Sequence, residues 1–154
     1  LVFCAACGAH TSDRRGTIPA PDHLRKDEYA AAATRYQHAC EAGTSQACGY
    51  LGLLYDNGYG VPQDMGLAVT LTERACADGS AYGCAYLGYL YQTGRGVPES
   101  QAEAVRWFIR AARQGDKTAQ HNLGVHYATH DLAHSSVEAA EEAERETKTD
   151  HFQI

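Results

Sequence analysis

The chain has 154 residues, 44% of them apolar, and a formal net charge of −6. Such a length holds one ordinary domain or a short array of repeats, and no apolar run reaches the roughly 18 residues that a membrane-crossing helix needs. The negative balance, with no basic stripe, argues against a phosphate-driven nucleic-acid binder.

The N-terminal stretch LVFCAACGAHTSDRRG begins without Met and carries Cys4 and Cys7. Three readings stay open for it. CAAC is the tail of a lipoprotein signal with Cys7 lipidated, or Cys4 and Cys7 form a local disulfide, or they are half a zinc site with His10. The first two place the protein outside the cytosol. RRGTIPAPDH then has the Pro, Gly and charge of a flexible lead. Residues 1–25 are therefore expected to be a flexible segment and tether, and 26–150 the folded unit.

A first helix is expected over Glu28–Ala42, closed by Gly43. From there the chain repeats itself. ACEAGTSQACGYLGLLYDNGYGVPQD (Ala39–Asp64) and ACADGSAYGCAYLGYLYQTGRGVPES (Ala75–Ser100) lie 36 residues apart. In that frame Leu51, Gly52 and Tyr55 align with Leu87, Gly88 and Tyr91, and again with Leu123, Gly124 and Tyr127. Each unit reads as two helices. The first, near Gln46–Asp56, spaces Ala47, Leu51, Leu54 and Tyr55 along one face. NGYGVP and TGRGVP break it, because Gly takes the left-handed dihedrals of a helix C-terminus and Pro admits a new start. The second helix, near Asp64–Ala77, is expected to bury Met65, Ala68, Val69, Leu71 and Thr72. Its equivalent carries Ala104, Val105, Trp107, Phe108 and Ala111, with Ser100 and Glu103 as a capping box. In the last unit His130, Leu132 and His134 replace the turn residues, and SSVEAAEEAERETKTD is expected to be a polar capping helix. Neither helix of a unit can bury its face alone, so the units must stack.

The pattern A-x3-L-G-x2-Y-x2-G-x-G-V-P, followed by an Ala-rich second helix ending in Ala and Gly, resembles the Sel-1-like repeat, a relative of the tetratricopeptide repeat. The likeness covers roughly residues 28–149. It implies an all-α, right-handed helix-pair solenoid of about three 36-residue repeats, with Glu28–Ala42 as the second half of an incomplete unit.

Cys40 ends one expected helix and Cys48 opens the next; Cys76 and Cys84 repeat the arrangement. Helices joined by so short a loop are antiparallel neighbours, and their ends can supply the Cα separation of about 4.4–6.8 Å that a disulfide needs. The third copy holds Ala112 and Gln120 at these positions, the paired loss that a staple predicts. Reduced buried thiols and a metal role remain alternatives. One shared four-cysteine zinc site is disfavoured, because successive helices pack about 8–10 Å apart while Zn–S bonds are about 2.3 Å. The stretch also resembles the cysteine-rich secreted members of the family, which carry this x7 staple. Some of those are described as penicillin-binding or β-lactamase-like, and a mitochondrial intermembrane-space assembly factor belongs to the same family.

Catalytic signals are sparse. No Ser is followed three residues on by Lys, G-x-S-x-G is missing, and Lys148–Asp150 is KTD rather than KTG. No phosphate loop or dinucleotide fingerprint is present. His121, His126, His130 and His134 form one cluster, the last three on one face if helical. The expected turn over Thr129–Ser135 would break that helix, so no metal site and no cofactor are assigned.

Positions that vary between copies are free to face a partner, and in helix-pair solenoids the first helices line the concave side. Those positions supply the candidate binding residues Tyr50, Leu53, Tyr86, Tyr89, Gln92, His121, Asn122 and Val125. Tyr50, Tyr86 and Tyr89 are the expected anchors, unless the rings pack between helices instead. The sequence thus leads to a non-catalytic, exported interaction module. It would hold a peptide or protein partner of the cell envelope in its groove, as a periplasmic, outer-membrane lipoprotein or secreted protein. The alternative is a β-lactam- or peptidoglycan-fragment-binding or hydrolysing protein, and a mitochondrial factor is a further one.

Overall fold

The computed structural model describes residues 20–130, without the side chains of 129 and 130. Cys4, Cys7, His10, His134 and the expected capping helix lie outside that range. Among the described residues there are six α-helices and no strand: α1 (Tyr29–Glu41), α2 (Ser45–Asn57), α3 (Met65–Ala77), α4 (Ala81–Thr93), α5 (Gln101–Arg113) and α6 (Lys117–His130). None is long and apolar enough to cross a membrane. Consecutive helices pack as neighbours, and α2 also touches α4. The chain is an all-α helix-pair solenoid.

Each start and stop has a local cause. The Asp64 carboxylate accepts from Leu67 N at 2.9 Å, the Ser80 hydroxyl from Gly83 N at 3.0 Å, and the Asp116 carboxylate from Ala119 N at 2.8 Å, each satisfying an orphan amide of a first turn. Ser100 caps α5 in the same way, accepting from Glu103 N at 3.2 Å. The reciprocal half of the expected capping box does not form. Ser100 N already donates to the Tyr91 carbonyl, and the Glu103 carboxylate turns to Arg106 at 2.9 Å. At the other end, α2 and α4 stop on Gly58 and Gly94, with φ of 68° and 65°, the left-handed cap that the repeated turn sequence requires.

The core follows the repeat. Leu54, Leu87, Leu90 and Phe108 are buried. Gly52 and Gly88 let the helices of a pair close up: a Cβ on Gly88 would lie 2.8 Å from the Phe108 ring and 3.1 Å from the Ala104 carbonyl. Disulfides join Cys40 to Cys48 and Cys76 to Cys84, with Cα separations of 4.7 and 4.5 Å. They tie α1 to α2 and α3 to α4, so they lock one repeat to the next.

Two further expectations need correction. Met65 is exposed, not buried; it opens α3, whose inward face begins only at Ala68. Residues 20–25, assigned to the flexible lead, are packed in part, with Asp22, His23 and Arg25 exposed. Pro21 is buried in a short 3-10 turn, and Ala20 and Leu24 lie against the core of α1 and α2. The turn expected over Thr129–Ser135 lies mostly outside the described residues, within which α6 runs to His130.

Candidate functional site

The face shared by α2, α4 and α6 carries a run of tyrosine rings. Tyr36 of α1 meets Tyr50 with ring centroids 5.4 Å apart, Tyr50 meets Tyr82 edge-on at 4.6 Å, Tyr82 stacks with Tyr86 at 6.1 Å, and Tyr86 meets Tyr89 at 5.5 Å. The run ends at a pocket of about 220 Å³ between α4 and the start of α6. Its walls are Tyr82, Ala85, Tyr86, Tyr89, Asp116, Thr118 and Asn122.

The repeat frame explains why the pocket is there. Between α2 and α4, Tyr82 lies over Gly49, its ring 3.0 Å from where a Cβ would stand, and packs on Tyr50. One repeat on, the equivalents of Gly49, Tyr50 and Tyr82 are Ala85, Tyr86 and Thr118. Thr118 has no ring, so the space that Tyr82 fills in the first junction is open in the second.

Electrostatics distinguish the two junctions as well. The caps of α2, α4 and α6 are Thr44, Ser80 and Asp116 in register, so of the three caps only that of α6, at the second junction, is a carboxylate. Asp116 has no ion-pair partner among the described residues. Burial raises the phenol of Tyr82 above its ordinary range, with smaller contributions that include the charges of Asp22 and Asp116. Burial, then the hydrogen bond to Asp56, raises that of Tyr86. Arg95, a cation close to Tyr86 and Tyr89, is neutralised: its Nε donates to both Asp56 carboxylate oxygens at 3.0 Å.

Of the residues named from sequence, Tyr86, Tyr89 and Asn122 come together around the pocket. Tyr89 is 38% exposed and Tyr86 partly buried. Tyr50 does not line it. At 4% exposure it is core, held between Tyr36 and Tyr82, and its phenol pairs with Gln46. Leu53, Gln92, His121 and Val125 lie outside the pocket lining, with His121 and Val125 exposed and Leu53 and Gln92 half-buried. Asp56, which varies between copies against Gln92 and Ala128, is nonetheless 1% exposed. Among the described residues no three His, Cys, Asp or Glu side chains are grouped to hold a metal. Tyr82, Asp116 and Thr118 are additional lining residues. Their signal is the difference between aligned copies: Gln46, Tyr82, Thr118 at one position and Thr44, Ser80, Asp116 at another.

Stacked antiparallel helix pairs, tied across repeats by disulfides and lined by tyrosines on one face, define a disulfide-stapled α-solenoid. The Sel1 repeat model matches residues 45–80 and 81–116. A protective antigen of uropathogenic Escherichia coli, c5321, displays an SLR fold and is 33% identical over 66% of this chain, with a TM-score of 0.60. A Sel1 repeat protein from Oxalobacter formigenes is 34% identical over 64% of the chain, with a TM-score of 0.56. Cysteine-rich protein B of Helicobacter pylori is 30% identical over 65%, with a TM-score of 0.52. The match covers 73% of the H. pylori protein but only 22% of the E. coli and 40% of the O. formigenes one. No curated protein sequence matches the chain. The chain belongs to the Sel1-repeat family.

Proposed function

We propose that the protein is a non-catalytic interaction module that holds an extended peptide of a partner protein on the α2–α4–α6 face, in an oxidising compartment outside the cytosol. The observation that carries this reading is the open, tyrosine-walled pocket at the second repeat junction. Tyrosines offer large contact area at low entropic cost, and binding energy concentrates at such aromatic anchors. The two disulfides support the compartment, since such bonds persist in oxidising surroundings and are rare in the cytosol. A protein or peptide of the cell envelope fits that setting. The hydroxyls around the pocket do not favour the hydrolytic alternative. Burial moves the phenols of Tyr82 and Tyr86 away from ionisation, whereas a nucleophile needs the opposite.

Site-specific photo-crosslinking tests the reading. A benzophenone side chain at position 89 should capture a distinct protein from an envelope extract. One at position 67, exposed on α3, should not. Equal capture at both positions, or capture at 67 alone, would place the partner elsewhere.

A further inference from the structure

We infer that the pocket between α4 and α6 takes an arginine side chain of the bound peptide; this rests on the groove reading above and names what the groove recognises.

The shape argument comes from the neighbouring junction, where the chain itself shows what such a space accepts. There a planar group, the Tyr82 ring, sits over Gly49 and against Tyr50 at 4.6 Å. In the second junction Thr118 stands in place of that ring, and the vacated space is bounded by Ala85 and the rings of Tyr82, Tyr86 and Tyr89. A flat side chain entering from outside completes the series against Tyr86.

The charge argument selects among flat side chains. The Asp116 carboxylate lines the pocket. One of its oxygens accepts from Ala119 N, and it makes no ion pair among the described residues. The charge of Arg95 is spent on Asp56, and the chain as a whole is acidic. Tyrosine faces attract cations through their ring quadrupole, and a carboxylate beside them adds a charge-assisted hydrogen-bond acceptor. Guanidinium is the side-chain group that is planar, permanently charged and able to stack and hydrogen-bond together. Lysine matches the charge but not the slot; phenylalanine matches the slot but not the charge.

Small blocked amino acids probe this directly. The full chain, labelled with 13C on its tyrosine rings, is titrated with N-acetyl amides of arginine, citrulline, lysine and phenylalanine. Arginine should shift the Tyr82, Tyr86 and Tyr89 rings saturably. It should bind roughly fivefold or more tightly than citrulline, its neutral counterpart, in keeping with a desolvated cation–π contact. Asp116→Asn keeps a good helix cap and should erase most of the arginine–citrulline difference. Tyr89→Leu, at an exposed position, should weaken arginine without changing the helical spectrum. Citrulline or lysine equal to arginine, or phenylalanine tightest, would overturn the arginine assignment while leaving a ligand groove in place. Choline outcompeting all four would move the site to a quaternary ammonium ligand and also overturn it. If no probe moves the three rings, the inference and the groove reading fail together.

Discussion

The phenol of Tyr86 donates to Asp56 Oδ2 at 2.8 Å, from the first helix of one repeat to the end of the first helix of the repeat before it. Arg95 closes the same junction, with Nε on both carboxylate oxygens at 3.0 Å and its other arm on the Asp56 carbonyl at 3.0 Å. Asp56 is 1% exposed and Arg95 31%, so the two are not equivalent partners. Arg95→Ala strands a buried carboxylate, and breaking a buried pair in this way costs about 3–5 kcal/mol. Asp56→Asn keeps an acceptor for Tyr86 and leaves a guanidinium that reaches water, so it should cost under about 2 kcal/mol. Urea unfolding of the two variants checks the order; equal losses would show that burial does not govern the pair.

Core and groove positions on α4 should separate cleanly. Leu87 is 0% exposed, and Leu87→Ala should cost roughly 2–5 kcal/mol through the lost contacts and the cavity. Tyr89→Ala should cost less than about 1 kcal/mol, as exposed substitutions do. Tyr86→Ala should fall between, because it removes the hydrogen bond to Asp56 as well as pocket wall. Thermal melts of the three decide it, and a Tyr89→Ala loss as large as that of Leu87→Ala would put that ring in the core.

Gly88→Ala should destabilise despite the better helix propensity of alanine. Its Cβ would meet the Phe108 ring and the Ala104 carbonyl, and overpacking of this kind costs typically about 1–3 kcal/mol. A Tm at or above that of the parent would show that α4 and α5 have room to separate.

The repeat period, the helix pairs, the glycine caps and the disulfide spacing are all legible in the sequence because each depends on residues close in the chain that recur 36 positions on. The pocket is harder to read, since it is made by a ring that is missing. Thr118 signals it only once Tyr82 is known to fill the equivalent space. Variation between copies also misleads at Asp56. It differs from Gln92 not because it is free but because its partner, Arg95, is equally specific to its own copy, where Tyr59 stands one repeat earlier. Tyr50 is misread for a similar reason. Its burial depends on Tyr36 and Tyr82, which lie on two other helices.

Alkaline pH should unfold the solenoid. Burial pushes Tyr36 up to about 12 and raises Tyr82 and Tyr86 too, whereas an unfolded tyrosine ionises near pH 10. The folded state then binds more protons than the unfolded one across that window, so stability falls as pH rises. The contribution is whole below about pH 10 and is lost progressively toward pH 12 and beyond. Helical circular dichroism and tyrosinate absorbance should change together in that range. Tyrosinate absorbance completing its rise near pH 10 with helicity intact would contradict the burial of these rings.

Reduction should weaken the fold without abolishing it. Each staple closes a short loop, contributing roughly 2–3 kcal/mol, and burial of Leu51, Leu87 and Phe108 remains. A lower Tm with retained helicity in mild reductant at room temperature is expected, and a coil spectrum there would contradict it.

The central claim is that the tyrosine-walled face binds a peptide, and affinity at one exposed ring tests it most directly. A peptide selected from a random display library against the whole chain is titrated against the parent, Tyr89→Ala and Leu67→Ala. Removing a central aromatic anchor costs about 2 kcal/mol or more, so Tyr89→Ala should raise Kd roughly thirtyfold, while Leu67→Ala leaves it unchanged. Peptide binding unaffected by Tyr89→Ala, or lost only with Leu67→Ala, would contradict it.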